Sequence, residues 1–358
     1  MSARRPRLPL PRITRFLRTR VNGTRTTHTN APGARGRTTG TLFSGAAQPY
    51  QTPGEEYNQA AQHAADAIIR RYSNSFSLAT RALAEPVRTH VRNLYAMVRI
   101  ADELVDGVGA EFQLTPEQTR QTLDDYEAAV YAAVDSGFST DLIIHAFAIT
   151  AHTCDFDPEH VRDFFRSMRQ DTHVSHHSAN SVEDYVHGSA EVIGQMCNSI
   201  FSWDATTSSH PWSTREAAIA DAGAIALGRA FQKVNFLRDM AVDTQQLGRD
   251  YLSADASQAG VLKNEKPTST APMDDAAKSR YVAEIRADLA AAREALPLLP
   301  LSARAGVASA HDLFEELTRR LDEASVAEIL AARISVPPAK KLALTSKAVA
   351  RTLWEARR

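Results

Sequence analysis

Cysteine is scarce in this sequence of 358 residues: only Cys154 and Cys197 occur, and they lack the spacing of a metal-binding motif. So little cysteine is typical of a reducing compartment, and we expect a cytoplasmic location. No run of about 18 apolar residues is present, which argues against a transmembrane helix. Alternating β-branched runs are absent, and no G-x-G-x-x-G motif follows a predicted strand. These absences disfavour a large β-sheet and a nucleotide-binding domain.

Acidic residues are missing from positions 1–54, which contain ten arginines. The whole chain has 41 basic and 42 acidic residues, so the remainder has 31 basic and 42 acidic residues and a net charge of −11. A body this acidic argues against nucleic acid as the main partner.

The basic tail, residues 1–56, is rich in Arg, Thr, Gly and Pro and shows little periodicity, which predicts disorder. Three alternatives stay open. The stretch RITRFLRTRV has the pattern of a short basic amphipathic segment that contacts anionic lipid, which would make the protein peripheral at a membrane. An Arg-rich, acid-poor stretch is also typical of an organelle transit peptide, and part of the tail could precede the true start.

Residues 57–358 form the second predicted unit, a single all-α domain, because Ala, Leu, Glu, Arg and Gln dominate and favour helix. A polar loop is expected over 262–275. The predicted helices cover 57–72, 86–107, 116–135, 139–152, 158–170, 181–203, 213–243, 276–294, 301–323 and 325–333.

Helix ends are marked in several places. Thr115 before Pro116 predicts a helix start, with the cap residue followed by proline at the first helical position. Ser181 is a second candidate cap. Gly107 and Gly109 are expected to end the helix over 86–107.

Two aspartate pairs carry the chemistry: Asp102 with Asp106, and Asp239 with Asp243. Residues four apart lie on one face of a helix, so each pair presents two carboxylates side by side. Two such faces turned toward each other would form a cluster of hard oxygen ligands, which magnesium prefers and completes with water and substrate phosphate. Because both helices are otherwise apolar, the pattern predicts a diphosphate site beside an apolar cavity.

Each pair belongs to a longer polar stripe. Asp102 and Asp106 follow Arg99 by three and seven residues, so the three lie on one face of a helix. A buried ion-pair network of Arg99, Arg238 and the four aspartates is the structural alternative, although such networks are costly. The second stripe consists of Gln232, Asn235, Asp239 and Asp243.

Several ordered motifs resemble the squalene/phytoene synthase family of head-to-head prenyl diphosphate synthases. The first two are YSNSFSLATRAL and LYAMVRIADELVDG, and the second of these holds the first acidic pair. DYVHGSAEVIGQM and LGRAFQKVNFLRDMAVDTQQLGRDYLS follow, and ARISVPPAKK closes the match. The resemblance covers roughly 72–338 and implies an isoprenoid-synthase-like helical domain around a central apolar cavity.

The resemblance also implies roles for individual positions. The magnesium-holding positions match Asp102, Asp106, Asn235, Asp239 and Asp243. The positions around the diphosphates and the reacting centre match Arg99, Tyr185, Gln232, Arg249 and Tyr251. The positions along the first substrate and the prenyl tail match Ser73, Ser75, Phe76, Ala190, Ile193 and Gly194.

The chain departs from the family pattern at four positions. Val242 stands where Glu is usual, Val186 and His187 stand where an aromatic is common, and Glu191 stands where Gly is common. One extra residue separates Asp243 from the following Arg-x-Tyr.

The function that the resemblance implies is a prenyl transfer of isoprenoid and carotenoid biosynthesis. Two geranylgeranyl diphosphates would join through a cyclopropyl (prephytoene) diphosphate to 15-cis-phytoene. Magnesium would be required, manganese could substitute for it, and NADPH would not be needed. Two alternatives remain: condensation of farnesyl diphosphate to presqualene diphosphate, squalene or dehydrosqualene, and a non-catalytic helical assembly protein of the same fold.

Overall fold

The computed structural model describes residues 52–172, 179–208, 210–244, 249, 251–252 and 273–357. The predictions for the tail up to residue 51 and for most of the polar loop lie outside these residues. The side chain of Ser75 is likewise outside the described part, and the split of the chain into 1–56 and 57–358 stays a prediction. None of the described helices combines the length and the hydropathy that a membrane crossing requires.

Helices make up the fold, and the described residues contain no β-strand, which confirms the all-α prediction. In chain order the helices are α1 Pro53–Tyr72, α2 Asn74–Arg81, α3 Val87–Glu103, α4 Pro116–Ser136, α5 Leu142–Thr153, α6 Pro158–Gln170, α7 Ala179–Val186, α8 Val192–Thr207, α9 Thr214–Val242, α10 Asp275–Ala295, α11 Leu301–Glu323, α12 Val326–Ala331 and α13 Pro338–Glu355.

Two π-helical turns interrupt the predicted helices at functional segments. The first π turn, Leu104–Val108, follows α3, and the second π turn, His187–Glu191, joins α7 to α8. Gly107 breaks the helix as predicted, because its φ of 135° is outside the range of other residues. The same prediction is wrong for Gly109, which begins another helical turn.

Helix starts follow the cap chemistry in most places. The Thr115 hydroxyl accepts a hydrogen bond from the Gln118 amide and Pro116 is the first helical residue, as predicted for α4. The cap predicted at Ser181 is wrong, because α7 already begins at Ala179.

Two large buried clusters of apolar side chains form most of the core, beside a small third cluster of alanines from α1, α3 and α5. One contains side chains from α3, α4, α5, α6 and α8, among them Phe147, Phe164 and Met196. The other gathers α9 to α12 with Tyr185 and Tyr251. A cavity of about 620 Å³ is lined by residues of both clusters and by α2, α3, α8, α9, α10 and α11.

Helix α9 approaches both α8 and the second π turn closely through two glycines. A Cβ added to Gly194 would lie 2.3 Å from the carbonyl oxygen of Ala224, and one added to Gly228 would lie 2.4 Å from that of Ala190. Both contacts are to backbone, which has little room to move. The small residues therefore set the distance between two walls of the cavity.

We expect Gly194→Ala to lower the free energy of unfolding by about 1–3 kcal/mol, because the new methyl group forces α8 away from Ala224. Urea titration followed by circular dichroism measures the change. Gly54→Ala is the matched control: it meets nothing within 4 Å in α1 and should be neutral or slightly stabilising. Equal stability of the two variants would contradict the close-packing assignment.

Candidate active site

The first acidic pair spans the junction between a regular helix and the first π turn. Asp102 is the last residue but one of α3, whereas Asp106 lies inside the π turn. Their side chains are 31% and 37% exposed, so both carboxylates reach solvent. The pair is accessible to a ligand, although its backbone differs from the plain helix that the spacing predicts.

Arg99 lies beside this pair and lines the cavity. Its guanidinium donates to Asp102 at 2.5 Å and also pairs with Glu103. The same group stands over the ring of Tyr72, 5.1 Å from its centre. Arg99 therefore places a guanidinium at the cavity wall, and its role toward a diphosphate stays a prediction.

The second acidic pair is asymmetric. Asp239 is bound by Arg238 and by Arg333, with the Arg333 Nε at 2.7 Å. Burial alone would raise the pKa of Asp239, but hydrogen bonds and charge from the two arginines hold it below the usual range. Asp239 is therefore ionised, while Asp243 has a different electrostatic environment.

Asp102 and Asp243 are the two members of the pairs whose ionisation is opposed most strongly. Burial raises the pKa of Asp102 to about 8, and the charge of Asp106 adds to the rise. Burial raises the pKa of Asp243 to about 7, with Asp239 and Asp106 adding to it. Because Asp106 acts on both groups, the two pairs lie near each other.

Arg249 contacts both pairs, the first through its side chain and the second through its backbone. Its backbone N–H donates to the carbonyl of Asp243 at 2.8 Å. Its guanidinium donates to the carboxylate of Asp106 at 2.6 Å and to the carbonyl of Val105 at 2.8 Å. The extra residue before Arg249 therefore does not prevent it from reaching the first pair.

Asp171 is a buried carboxylate that the sequence analysis missed. One of its oxygens accepts from the Tyr185 hydroxyl at 2.8 Å and the other from the Tyr251 hydroxyl at 2.7 Å. Burial raises its pKa to about 6, against the opposing effect of Arg249 and both tyrosines. The only sequence signal is an isolated acid after α6, which has no periodic partner.

The cavity wall contains eight of the predicted site residues and is otherwise mainly apolar. The helix that begins with Asn74 is capped by the Ser73 hydroxyl, which accepts from the Phe76 amide at 3.1 Å. The Phe76 ring stacks on Tyr95. The eight are Ser73, Phe76, Arg99, Ala190, Ile193, Gly194, Gln232 and Asn235.

The remaining predicted residues whose side chains are described do not line the cavity. They are Tyr185, Arg249, Tyr251 and the four aspartates. Three further cations that were not predicted do line it: Arg238, Arg333 and Lys341. Since Arg99 binds Asp102 while Arg238 and Arg333 bind Asp239, each acidic pair is joined to the wall through arginine.

Two residues that depart from the family pattern, His187 and Glu191, contact each other. The ring nitrogens of His187 lie 3.0 Å from Glu191 and 3.2 Å from Asp163. Glu191 in turn accepts from Arg229 at 2.6 Å. The two substitutions in the second π turn thus form a polar network. Val242 is 38% exposed and supplies no carboxylate where the family usually has one.

The aspartates fit a divalent cation by chemistry, because they are hard oxygen donors and two of them have raised pKa values that a cation would lower. They are not a preformed compact site. In the described part of the chain, the only three acidic or histidine ligand atoms within 4.8 Å of one another belong to His311, Asp312 and Glu315. A cation held by the aspartates would therefore take further ligands from water or a diphosphate.

Structural neighbours share this fold. A dehydrosqualene synthase superposes with a TM-score of 0.66 at 21% identity, covering 84% of this chain and 99% of the other. A squalene synthase from Alicyclobacillus acidocaldarius gives a TM-score of 0.58 at 21% identity, covering 78% and 94%. These neighbours confirm the isoprenoid-synthase-like helical fold.

Curated relatives extend the comparison. A bifunctional lycopene cyclase/phytoene synthase of Leptosphaeria maculans is 28% identical over 75% of this chain and 48% of its own length. A 15-cis-phytoene synthase of Synechocystis is 30% identical over 52% and 53%. The chain thus spans about half the length of these relatives. The squalene/phytoene synthase family model matches residues 69–340. The chain therefore belongs to the squalene/phytoene synthase family.

Proposed function

We propose that the protein is a phytoene synthase that joins two geranylgeranyl diphosphates head to head to give 15-cis-phytoene. The observation that carries the proposal is Arg249, which links both acidic pairs beside a mainly apolar cavity. Relatives of this chain in Leptosphaeria, Synechocystis and Zea mays carry phytoene synthase in their names, which supports the choice within the family.

Five side chains would hold magnesium in this proposal: Asp102, Asp106, Asn235, Asp239 and Asp243. When bound, the metal neutralises the charge of a leaving diphosphate. The raised pKa values of Asp102 and Asp243 support the assignment, because both carboxylates need a cation to ionise fully.

The chain's own cations complete the diphosphate site. Arg99, Arg238, Arg333 and Lys341 line the cavity and place positive charge where the departing oxygens gain negative charge. Burial lowers the pKa of Lys341, and the neighbouring charges of Arg238 and Arg333 add to the effect. A cluster of like charges of this kind favours a polyanionic ligand.

The apolar wall protects the carbocation chemistry. Loss of the first diphosphate leaves an allylic cation, and the double bond of the second substrate attacks it. Proton loss closes the cyclopropyl ring of the intermediate diphosphate. Loss of the second diphosphate, rearrangement and a final proton loss give the C40 hydrocarbon. Phe76, Ile193 and Gly194 exclude water from these steps.

A product assay tests the proposal. Purified full-length protein with magnesium and geranylgeranyl diphosphate should give a C40 hydrocarbon without NADPH, identified by mass. A chelator should abolish the product, and added magnesium should restore it, with manganese as a substitute. The chelator makes the same preparation its own control.

Other products would redirect the assignment. A C30 product from farnesyl diphosphate, with no C40 product, would indicate presqualene diphosphate, squalene or dehydrosqualene synthesis, and NADPH dependence would single out squalene. No hydrocarbon from either substrate would favour the non-catalytic assembly protein.

A further inference from the structure

Asp171 is a buried acid whose position calls for an explanation. Its side chain is 1% exposed, and it follows the end of α6, a helix that supplies none of the predicted metal ligands. An isolated buried carboxylate is costly, so its partners must compensate for the lost hydration. Those partners are the predicted site residues Tyr185, Tyr251 and Arg249.

The contacts of Asp171 join three separate parts of the fold. Its carboxylate binds Tyr185 from α7 and Tyr251 from the segment after α9. Its backbone carbonyl accepts from the Arg249 guanidinium at 3.1 Å, and its carboxylate lies 3.8 Å from the Arg249 Nε. The same guanidinium holds Asp106.

Aromatic packing reinforces the arrangement. The ring of Tyr251 stacks on Phe236 with centres 4.3 Å apart and planes 11° apart, and it lies 5.1 Å from the ring of Tyr185. Phe236 follows Asn235 on α9, a predicted metal ligand. A shift of Tyr251 would therefore act on both Arg249 and α9.

We propose that Asp171 is a positioning residue that fixes Arg249, Tyr185 and Tyr251 so that Arg249 spans the two acidic pairs. This inference rests on the proposed function and assigns Asp171 no contact with substrate. Burial beside the Asp171 carboxylate raises the pKa of both tyrosines, so each hydroxyl remains a hydrogen-bond donor to it.

Asp171→Asn tests the role, because it keeps the shape while one tyrosine hydroxyl meets an amide N–H instead of an acceptor. We expect kcat to fall about 10–100-fold and half-maximal activity to need about 10-fold more magnesium, the range for groups that orient metal ligands. Asp204→Asn is the matched control. Asp204 is also buried and accepts from the Ser302 hydroxyl away from the cavity lining, so its kcat and magnesium requirement should be unchanged.

Tyr251→Phe is the milder second variant, in case Asp171→Asn fails to fold. It removes one hydroxyl while the stacking on Phe236 stays. We expect a smaller rise in the magnesium requirement than in Asp171→Asn. The combined variant should lose less than the product of the two single losses, because both substitutions weaken the same hydrogen-bond network around Asp171. A double variant whose loss of activity equals the product of the two single losses would overturn the proposal.

Binding of magnesium with inorganic pyrophosphate provides a readout independent of turnover. The two together should raise the melting temperature of wild type and Asp204→Asn, and raise it less in Asp171→Asn. Equal protection of all three proteins would overturn the positioning role. If wild type is protected but makes no hydrocarbon, the proposed function fails while the comparison of protection still decides the role of Asp171.

Discussion

Asp102→Asn should lower turnover by about a thousandfold or more, because removing a metal-holding carboxylate forfeits several kcal/mol of charge stabilisation at the diphosphate. The amide has nearly the same shape as the acid, so the loss reports charge and not packing. Steady-state rates of hydrocarbon formation at saturating magnesium measure it. Asp239→Ala should lower turnover by a similar factor, because the second acidic pair is expected to hold metal together with the first.

Asp125→Asn is the matched control. Asp125 is an exposed aspartate on α4 that accepts from the Gln121 amide, and its loss should leave turnover unchanged. Normal turnover of Asp102→Asn would refute the metal assignment for the first pair.

Although Asp102→Asn should lower turnover, it should not destabilise the metal-free protein. The pKa of Asp102 is about 8 in the folded protein against an ordinary value of 3.8 for an aspartate in water, so the folded state binds the extra proton between these values. Its contribution therefore makes the metal-free protein less stable as pH rises through this window. Because Asn lacks this ionisation, Asp102→Asn should unfold at a temperature at least equal to that of wild type at pH 8 with chelator present.

Arg249→Met should be the most destabilising substitution near the site. The arginine side chain is 8% exposed and donates to Asp106, Val105 and Asp171. Its removal leaves two carbonyls without this donor and removes the shared cation of two carboxylates, which costs about 3–5 kcal/mol for a buried pair broken on one side. Urea titration gives the free energy of unfolding.

Turnover should fall by at least about a hundredfold in Arg249→Met, even under conditions where the variant is folded, because the cation that binds Asp106 and acts on Asp243 is lost, while the backbone contact to Asp243 stays. Arg280→Met, on the exposed face of α10, should change stability by less than about 0.5 kcal/mol and leave turnover intact. An Arg249→Met protein as stable as the Arg280→Met control would rule out a structural role for the buried guanidinium.

Helix positions were predictable where periodicity and caps agree. The bounds 158–170 match α6, where Asp157 caps the helix and Pro158 is its first residue. The bounds 301–323 match α11, which has no capping side chain but a long apolar pattern. Helix α2 was missed because eight residues hold too little periodicity. Helix α13 was not predicted, although Pro338 occupies its first position, where proline is favoured.

The site was predictable only as far as local spacing reaches. The acidic pairs and Arg99 share helix faces, so their pattern is visible in short windows. Asp171 has partners 14 and 80 residues away, and Arg333 reaches Asp239 across 94 residues. Such contacts depend on how helices pack, which no local pattern of one sequence reports.

The number of residues in the first π turn determines where the Asp106 carboxylate lies. A π turn takes up one residue more than an α-helical turn, so it absorbs an inserted residue that an α-helix would not accommodate. Deleting Val105 would place Asp106 three instead of four residues after Asp102, which would move its carboxylate about 100° around the helix axis. The carboxylate that Arg249 holds is thus more vulnerable to a deletion in its neighbourhood than to most exchanges of one side chain for another.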